Sequence, residues 1–186
     1  MPCQNQQEFL DVPFSTPTAA LPALDDECFV IGYPGDITEK EFQDNYPALS
    51  FPDIKKTFVS FLKKTASFGR AGKYEGNLQH HTAAALPGVS GGLYFHFSQG
   101  SQESPQLFSG INVGGSSQLE RNFVILAANR NFAIAYFTVI TSTPNDIQAL
   151  RADLLQEYFE HHRDSLPDTV CNLLTTVLFP ISEEDA

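Results

Sequence analysis

The sequence predicts an all-β fold, a compact antiparallel sheet or barrel closed by a C-terminal helix. Three observations lead there. Short apolar runs of strand length follow one another along most of the chain, glycine-rich turns separate them, and no long helix-period segments alternate with them as a βαβ fold requires. Hydrophobic residues make up 42% of the 186 positions and sixteen are phenylalanine, enough apolar material for the core of one domain.

Residues 1–27 are rich in Pro, Ala and Thr with little periodicity, and predict an irregular lead-in. Cys28-Phe29-Val30-Ile31 is a short apolar strand stopped by the turn-forming Gly32-Tyr33-Pro34-Gly35-Asp36. Residues 37–52 carry acids, Asn45, Pro47 and Pro52, and predict a surface loop with one helical turn at most. Ile54, Phe58, Phe61 and Leu62 recur at helical spacing, but Phe58 to Leu62 fits a strand equally well. Ser67 to Tyr74 predicts a turn feeding a strand, and residues 77–82, Leu93 to Phe97, Gln106 to Val113 and Phe123 to Ala127 predict further strands. Phe132 to Ile140 is apolar enough for a strand or a short helix. The best-marked element is a C-terminal helix. Thr143 caps it, Pro144 suits its first position, Asp146 completes a capping box, and Ile147, Leu150, Leu154, Tyr158 and Phe159 line one face to about residue 162. The organisation expected is therefore lead-in 1–27, barrel plus helix 28–165, and a C-terminal extension 166–186.

Charge excludes several partners. Eleven basic against 22 acidic side chains leave a net charge of -11, which repels phosphate backbones and anionic membranes. Lys55-Lys56 and Lys63-Lys64 are too few to offset it, so neither nucleic acid nor a membrane is expected as a partner. Asp25, Asp26 and Asp36 read as solvated loop acids. Cys3, Cys28 and Cys171 match no metal-ligand spacing and are expected as reduced thiols, with no metal and no cofactor. The N-terminal segment has neither the basic nor the apolar region of a secretory signal, so the chain taken as complete is expected in the cytosol; as part of a longer, secreted protein it would not be.

The chemistry is expected in Pro87-Gly88-Val89-Ser90-Gly91-Gly92, between two predicted strands. Acyl transfer through a serine needs an oxygen held outward, a base for its proton and amide donors for the oxyanion. Flanking glycines permit unusual backbone angles and leave N–H groups uncovered, so Gly88 and Ser90 are candidate oxyanion donors. Apolar, strand-like residues follow the motif, which separates it from the strand-to-helix elbow of α/β-hydrolases.

In FVIGYPGD (29–36), the strand pair within 67–82, PGVSGGLYF (87–95) and FSGINVGG (108–115), taken in order, the chain resembles the serine-bearing half of the trypsin-like serine peptidases. The motif style is that of the branch containing bacterial glutamyl endopeptidases. The resemblance covers roughly residues 28–162 and implies an antiparallel Greek-key barrel, the second of the family's two. It implies a serine endopeptidase hydrolysing peptide bonds through acyl-Ser90, with the N–H groups of Gly88 and Ser90 as oxyanion donors. Val113, Gly114 and Gly115 would pair with substrate backbone, and the primary pocket would be floored near Ala84 and Ala85 and walled by Asn112 to Gly115. Ala84 stands where a basic-residue preference requires an acid. Asn112 and Ala85 replace the histidine and hydroxyl of glutamyl preference, so a small or neutral side chain is expected.

The family's base histidine comes from its first barrel. Only 27 residues precede the Cys28 strand and none is histidine, so the first barrel and the base are expected outside this sequence. Asp11 is the nearest candidate for the acid that would orient such a base. His80 and His81 face opposite ways on one strand and are expected to be exposed at the barrel rim. His96 is expected at the sheet surface, and His161 and His162 at the C-terminal end of a helix, where cations suit the dipole. The expected partners are a peptide or protein substrate and a missing N-terminal barrel or partner protein. The alternative is an inactive peptidase-like domain that binds a peptide or partner along Val113–Gly115.

Overall fold

Cys28-Phe29-Val30-Ile31 is an unbroken apolar run because both of its faces are covered. Cys28 and Val30 turn into a barrel, whereas Phe29 and Ile31 turn outward into a second apolar cluster. The computed structural model describes residues 16–35, 38–57, 64–97, 107–116, 121–142 and 152–178. Among the described residues eight strands run in chain order: β1 (Thr16–Pro17), β2 (Glu27–Gly32), β3 (Thr65–Glu75), β4 (Leu78–His81), β5 (Leu93–Phe97), β6 (Leu107–Phe108), β7 (Gly110–Ser116) and β8 (Arg121–Leu126). Six of them close an antiparallel barrel in the order β2-β3-β4-β8-β7-β5, and β1 pairs in parallel with β6 beside it.

The strands β2, β3 and β4 are successive neighbours, and β5 returns to pair with β2 rather than with β4. That spatial order, fourth strand beside the first, is a Greek key. Its return connection, residues 82–92, crosses one end of the barrel and carries Ser90. The barrel interior is filled by Cys28, Val30, Tyr94, Val124 and Leu126, with Ala83 and Val89 of the crossing loop packed onto them.

The all-β expectation does not hold. Five α-helices occur among the described residues: α1 (Glu39–Asn45), α2 (Phe51–Thr57), α3 (Arg130–Ser142), α4 (Ala152–His162) and α5 (Asp168–Leu178). The barrel is therefore one layer of a mixed α and β structure. The helix α3 is the segment whose apolar pattern suits a strand or a helix. Asn129 decides in favour of helix, since its Oδ1 accepts the N–H groups of Asn131 (2.9 Å) and Phe132 (3.4 Å) at the start. Ala133, Phe137 and Ile140 then share one face and are buried. The start of the helix expected at Thr143 lies outside the described residues; within α4, Tyr158 and Phe159 of the expected stripe are buried, together with Leu155, which that stripe did not include.

The helices α3, α4 and α5 cover the outer face of β2, β5 and β7. Phe29 stacks on Phe95 with ring centroids 4.6 Å apart, and both join one core cluster with Phe137, Leu155, Tyr158, Phe159, Leu166, Val170 and Leu174. Ile31, Leu93 and Ile111 pack against the same cluster. Tyr158 also donates its hydroxyl to the Ala127 carbonyl (2.6 Å), fixing α4 to the end of β8. Leu166, Val170 and Leu174, from the segment expected as a C-terminal extension, are thus part of this core. In the segment expected as a loop, Thr38 and Glu41 form a capping box for α1, whose Phe42 is buried against Tyr46 and Phe51.

The described part of the lead-in is bound to β3. Asp25 N–H donates to Ala71 C=O (2.9 Å), Ala71 N–H to Asp26 C=O (2.8 Å), and Tyr74 Oη to Pro22 C=O (2.9 Å). Asp26 is a buried turn acid, not a solvated one, and its Oδ2 accepts the Ala23 N–H (2.7 Å). Asp11 and Asp36 lie outside the described residues. Cys28 and Cys171 are free thiols, and burial pushes the Cys28 thiol up to about 11, so it is protonated at neutral pH. No described helix is long and apolar enough to cross a membrane.

Candidate functional site

The loop between β4 and β5 is pinned on both sides of Ser90. Val89 is buried, its side chain packed into the barrel mouth against Gly32, and Ser90 next to it is exposed. Gly88 and Gly91 take positive φ, +93° and +85°, conformations open to glycine and costly for other residues. Gly88 also lies so close to the Gly32–Gly35 turn that a Cβ there would sit 2.2 Å from the Gly35 nitrogen. That contact joins the GYPG turn to the serine loop, and Gly35 N–H donates to Pro87 C=O (2.8 Å) across it.

The amides of the loop alternate. Val89 N–H donates to Leu86 C=O (3.1 Å), Gly91 N–H to Asn112 C=O (2.7 Å) and Gly92 N–H to Val89 C=O (2.9 Å). The N–H groups of Gly88 and Ser90 have no acceptor among the described residues. These are the two amides expected as oxyanion donors. Stabilisation of a tetrahedral oxyanion needs two such donors converging on one point.

Ser90 Oγ lies 3.5 Å from Val113 C=O, its one hydrogen-bond contact among the described residues. That carbonyl belongs to a part of β7 that outruns β5. The β5–β7 ladder ends at Leu93 and Ile111, whereas β7 continues along β8 through Gly114–Phe123, Gly115–Asn122 and Ser116–Arg121. A bulge at Val113 separates the two stretches and leaves Val113 39% exposed. Among the described residues, no strand pairs with the β5-facing edge of residues 113–116, at whose start Ser90 lies.

The expected pocket residues fall in two places. Ala84 is exposed and Ala85 half-buried at the start of the crossing loop. Asn112 is 1% exposed, so its side chain is turned into the barrel and not toward an open wall. Its Nδ2 donates to Val89 C=O (3.3 Å), and its Oδ1 meets His81 Nε2 (3.0 Å). Asn122 is a residue that the sequence reading missed. Its Nδ2 donates to Ala83 C=O (2.8 Å), and a Cβ on Gly115 would sit 2.2 Å from its Oδ1, so the side chain lies between the Ala83–Ala85 segment and β7. The antiparallel register that sets Asn122 opposite Gly115 could not be read from one strand alone.

None of the five histidines of the sequence hydrogen-bonds Ser90. His80 and His81 are buried, contrary to the expected exposed rim. His81 enters the barrel beside Tyr94, and His80 lies against Phe123 with its Nε2 on Glu75 Oε2 (2.8 Å). His96 Nδ1 pairs with Ser109 Oγ. His161 is exposed, but His162 is buried with its ring 4.7 Å from that of Tyr158. Among the described residues no group of three or more His, Cys, Asp or Glu is placed to hold a metal ion.

Burial lowers the pKa values of His81 and His162 from 6.5, because the interior disfavours the imidazolium. Well above 6.5 both rings are neutral in folded and unfolded chains, and they add no pH dependence. As pH falls below 6.5 the unfolded chain takes up protons that the folded chain resists, and stability is lost down to the folded pKa. Thermal unfolding followed between about pH 7.5 and about pH 5 should show this loss, and His162→Phe should make the curve shallower. An unchanged slope in that variant would assign the titration elsewhere.

No protein-family model matches the chain, and none of the curated proteins does.

Proposed function

We propose that this chain carries the nucleophile-bearing barrel of a trypsin-like serine endopeptidase, with Ser90 as the acylated residue. The single observation that supports this reading most is the pair of uncommitted N–H groups, Gly88 and Ser90, flanking an exposed serine hydroxyl. In the reaction, Ser90 Oγ attacks the substrate carbonyl carbon, and the π-electron pair moves onto its oxygen. That oxyanion accepts the two N–H groups. A base takes the Ser90 proton and returns it to the departing amine as the C–N bond breaks, and water then cleaves the acyl-serine ester by the same route. The substrate chain adds to the open edge of Val113–Gly115 as an extra strand, which brings its carbonyl to Ser90. No histidine of this sequence is bonded to Ser90, so the base comes from another polypeptide segment.

A base that is missing can be supplied in solution. Intact-mass analysis after treatment with a serine-directed fluorophosphonate should show a slow single adduct, accelerated by added imidazole and lost in Ser90→Ala. Oxyanion donors without a base leave a residual acceleration of roughly 10³-fold over water, enough for such slow labelling. A folded chain with no Ser90-dependent adduct, with or without imidazole, overturns the reading. The open β7 edge then favours a second one, a domain that binds an extended peptide without cleaving it.

A further inference from the structure

We infer that Asn112 is a positioning residue for the Ser90 amide, acting through the carbonyl of Val89. This rests on the peptidase reading only for its consequence, not for its geometry. A trans peptide is planar, with its C=O and N–H directed oppositely. Whatever holds the carbonyl of one residue therefore aims the N–H of the next. Both uncommitted amides of the serine loop are aimed in this way. Pro87 C=O is held by Gly35 N–H (2.8 Å), which turns Gly88 N–H away from the Gly32–Gly35 turn. Val89 C=O is held by Asn112 Nδ2 (3.3 Å) and Gly92 N–H (2.9 Å), which turns Ser90 N–H away from the barrel.

Asn112 is suited to this because all of its polar groups are engaged in one rigid arrangement. Its backbone N–H donates to Gly92 C=O (2.8 Å) and its C=O accepts Gly91 N–H (2.7 Å), so the strand itself holds the loop on the far side of Ser90. Its side chain holds the near side. Val89 C=O can only accept, so the NH2 group faces it, and Oδ1 is left facing His81. His81 Nε2 therefore carries a proton and donates it to Oδ1. A buried chain of donors thus runs His81 to Asn112 to Val89 C=O, and its output is the direction of the Ser90 N–H. The two anchors are independent, one on the turn after β2 and one on β7.

The test substitutes Asn112→Asp, which keeps the shape and replaces the donor facing Val89 C=O with an acceptor. Backbone amide NMR should show Gly88 and Ser90 exchanging rapidly with solvent in the parent chain, and Val89, Gly91 and Gly92 slowly. In Asn112→Asp the Ser90 resonance should shift and its exchange slow as the peptide turns its N–H inward. The Gly88 amide, held by Gly35, should keep its shift and exchange. Imidazole-assisted fluorophosphonate labelling should fall about a hundredfold, the usual effect of losing one oxyanion donor. Asn112→Ala, which adds no charge, carries the same test if the aspartate variant does not fold, with the Ser90 resonance alone displaced and labelling again reduced. Equal disturbance at Gly88 and Ser90, or no change at Ser90, overturns the inference. A parent chain that does not label at all refutes the peptidase reading, and the two amide resonances still decide the role of Asn112.

Discussion

Replacing Phe137 with alanine is expected to destabilise the fold by about 4 kcal/mol, the cost of emptying a fully buried aromatic site. Phe137 has no solvent exposure, and its ring touches those of Tyr136, Tyr158 and Phe159 at centroid distances of 5.7, 5.2 and 5.9 Å. It therefore joins α3 to α4 over the outer face of β2 and β5. The loss is comparable to the whole stability of many domains, about 5–15 kcal/mol, so this variant should be largely unfolded under mild denaturant. Urea titration of both forms measures it. A loss under about 1 kcal/mol would mean that the helices rest on the barrel without stabilising it.

Gly88→Ala should disable the serine loop, whereas Gly91→Ala should only weaken it. A Cβ on Gly88 meets the Gly35 nitrogen at 2.2 Å and its α-carbon at 2.7 Å, both backbone atoms, and φ there is +93°. Neither backbone can yield without breaking the Gly35–Pro87 hydrogen bond that aims the Gly88 amide. Strain and overpacking together should cost about 3 kcal/mol. The Ser90-dependent adduct should form about a hundredfold more slowly, through loss of one oxyanion donor. Gly91 has positive φ, but nothing lies within 4 Å of its Cβ position, so alanine should cost about 1 kcal/mol of conformational strain. Thermal unfolding and labelling rates of the two variants separate the cases. Equal losses in both would mean that backbone conformation alone, and not the contact with Gly35, shapes the loop.

The strands were legible where burial is simple. Leu93–Phe97 has the bounds expected from its apolar run, and Cys28–Ile31 lies within β2. The helices were not. Phe132–Ile140 is apolar on several faces because α3 is packed on one side by the barrel and on another by α4 and α5, which erases the stripe that would separate helix from strand. The capping box Thr38 to Glu41 was present in the sequence, but the prolines and acids around it looked like a loop, and α1 and α2 are each only seven residues long. At the site, the exposed Ser90 and the glycine conformations follow from local sequence. The inward turn of Asn112 depends on strand parity across β7, and the burial of His80 depends on Phe123 of β8, which is distant in sequence. Such register is invisible until the strands are paired.

The most direct test is a crystal structure of the chain after reaction with a small fluorophosphonate in the presence of imidazole. The account predicts phosphorus bonded to Ser90 Oγ, with the phosphoryl oxygen about 2.7–3.1 Å from both the Gly88 and the Ser90 nitrogens. A phosphoryl oxygen turned to solvent, with those two N–H groups bonded elsewhere, would contradict it.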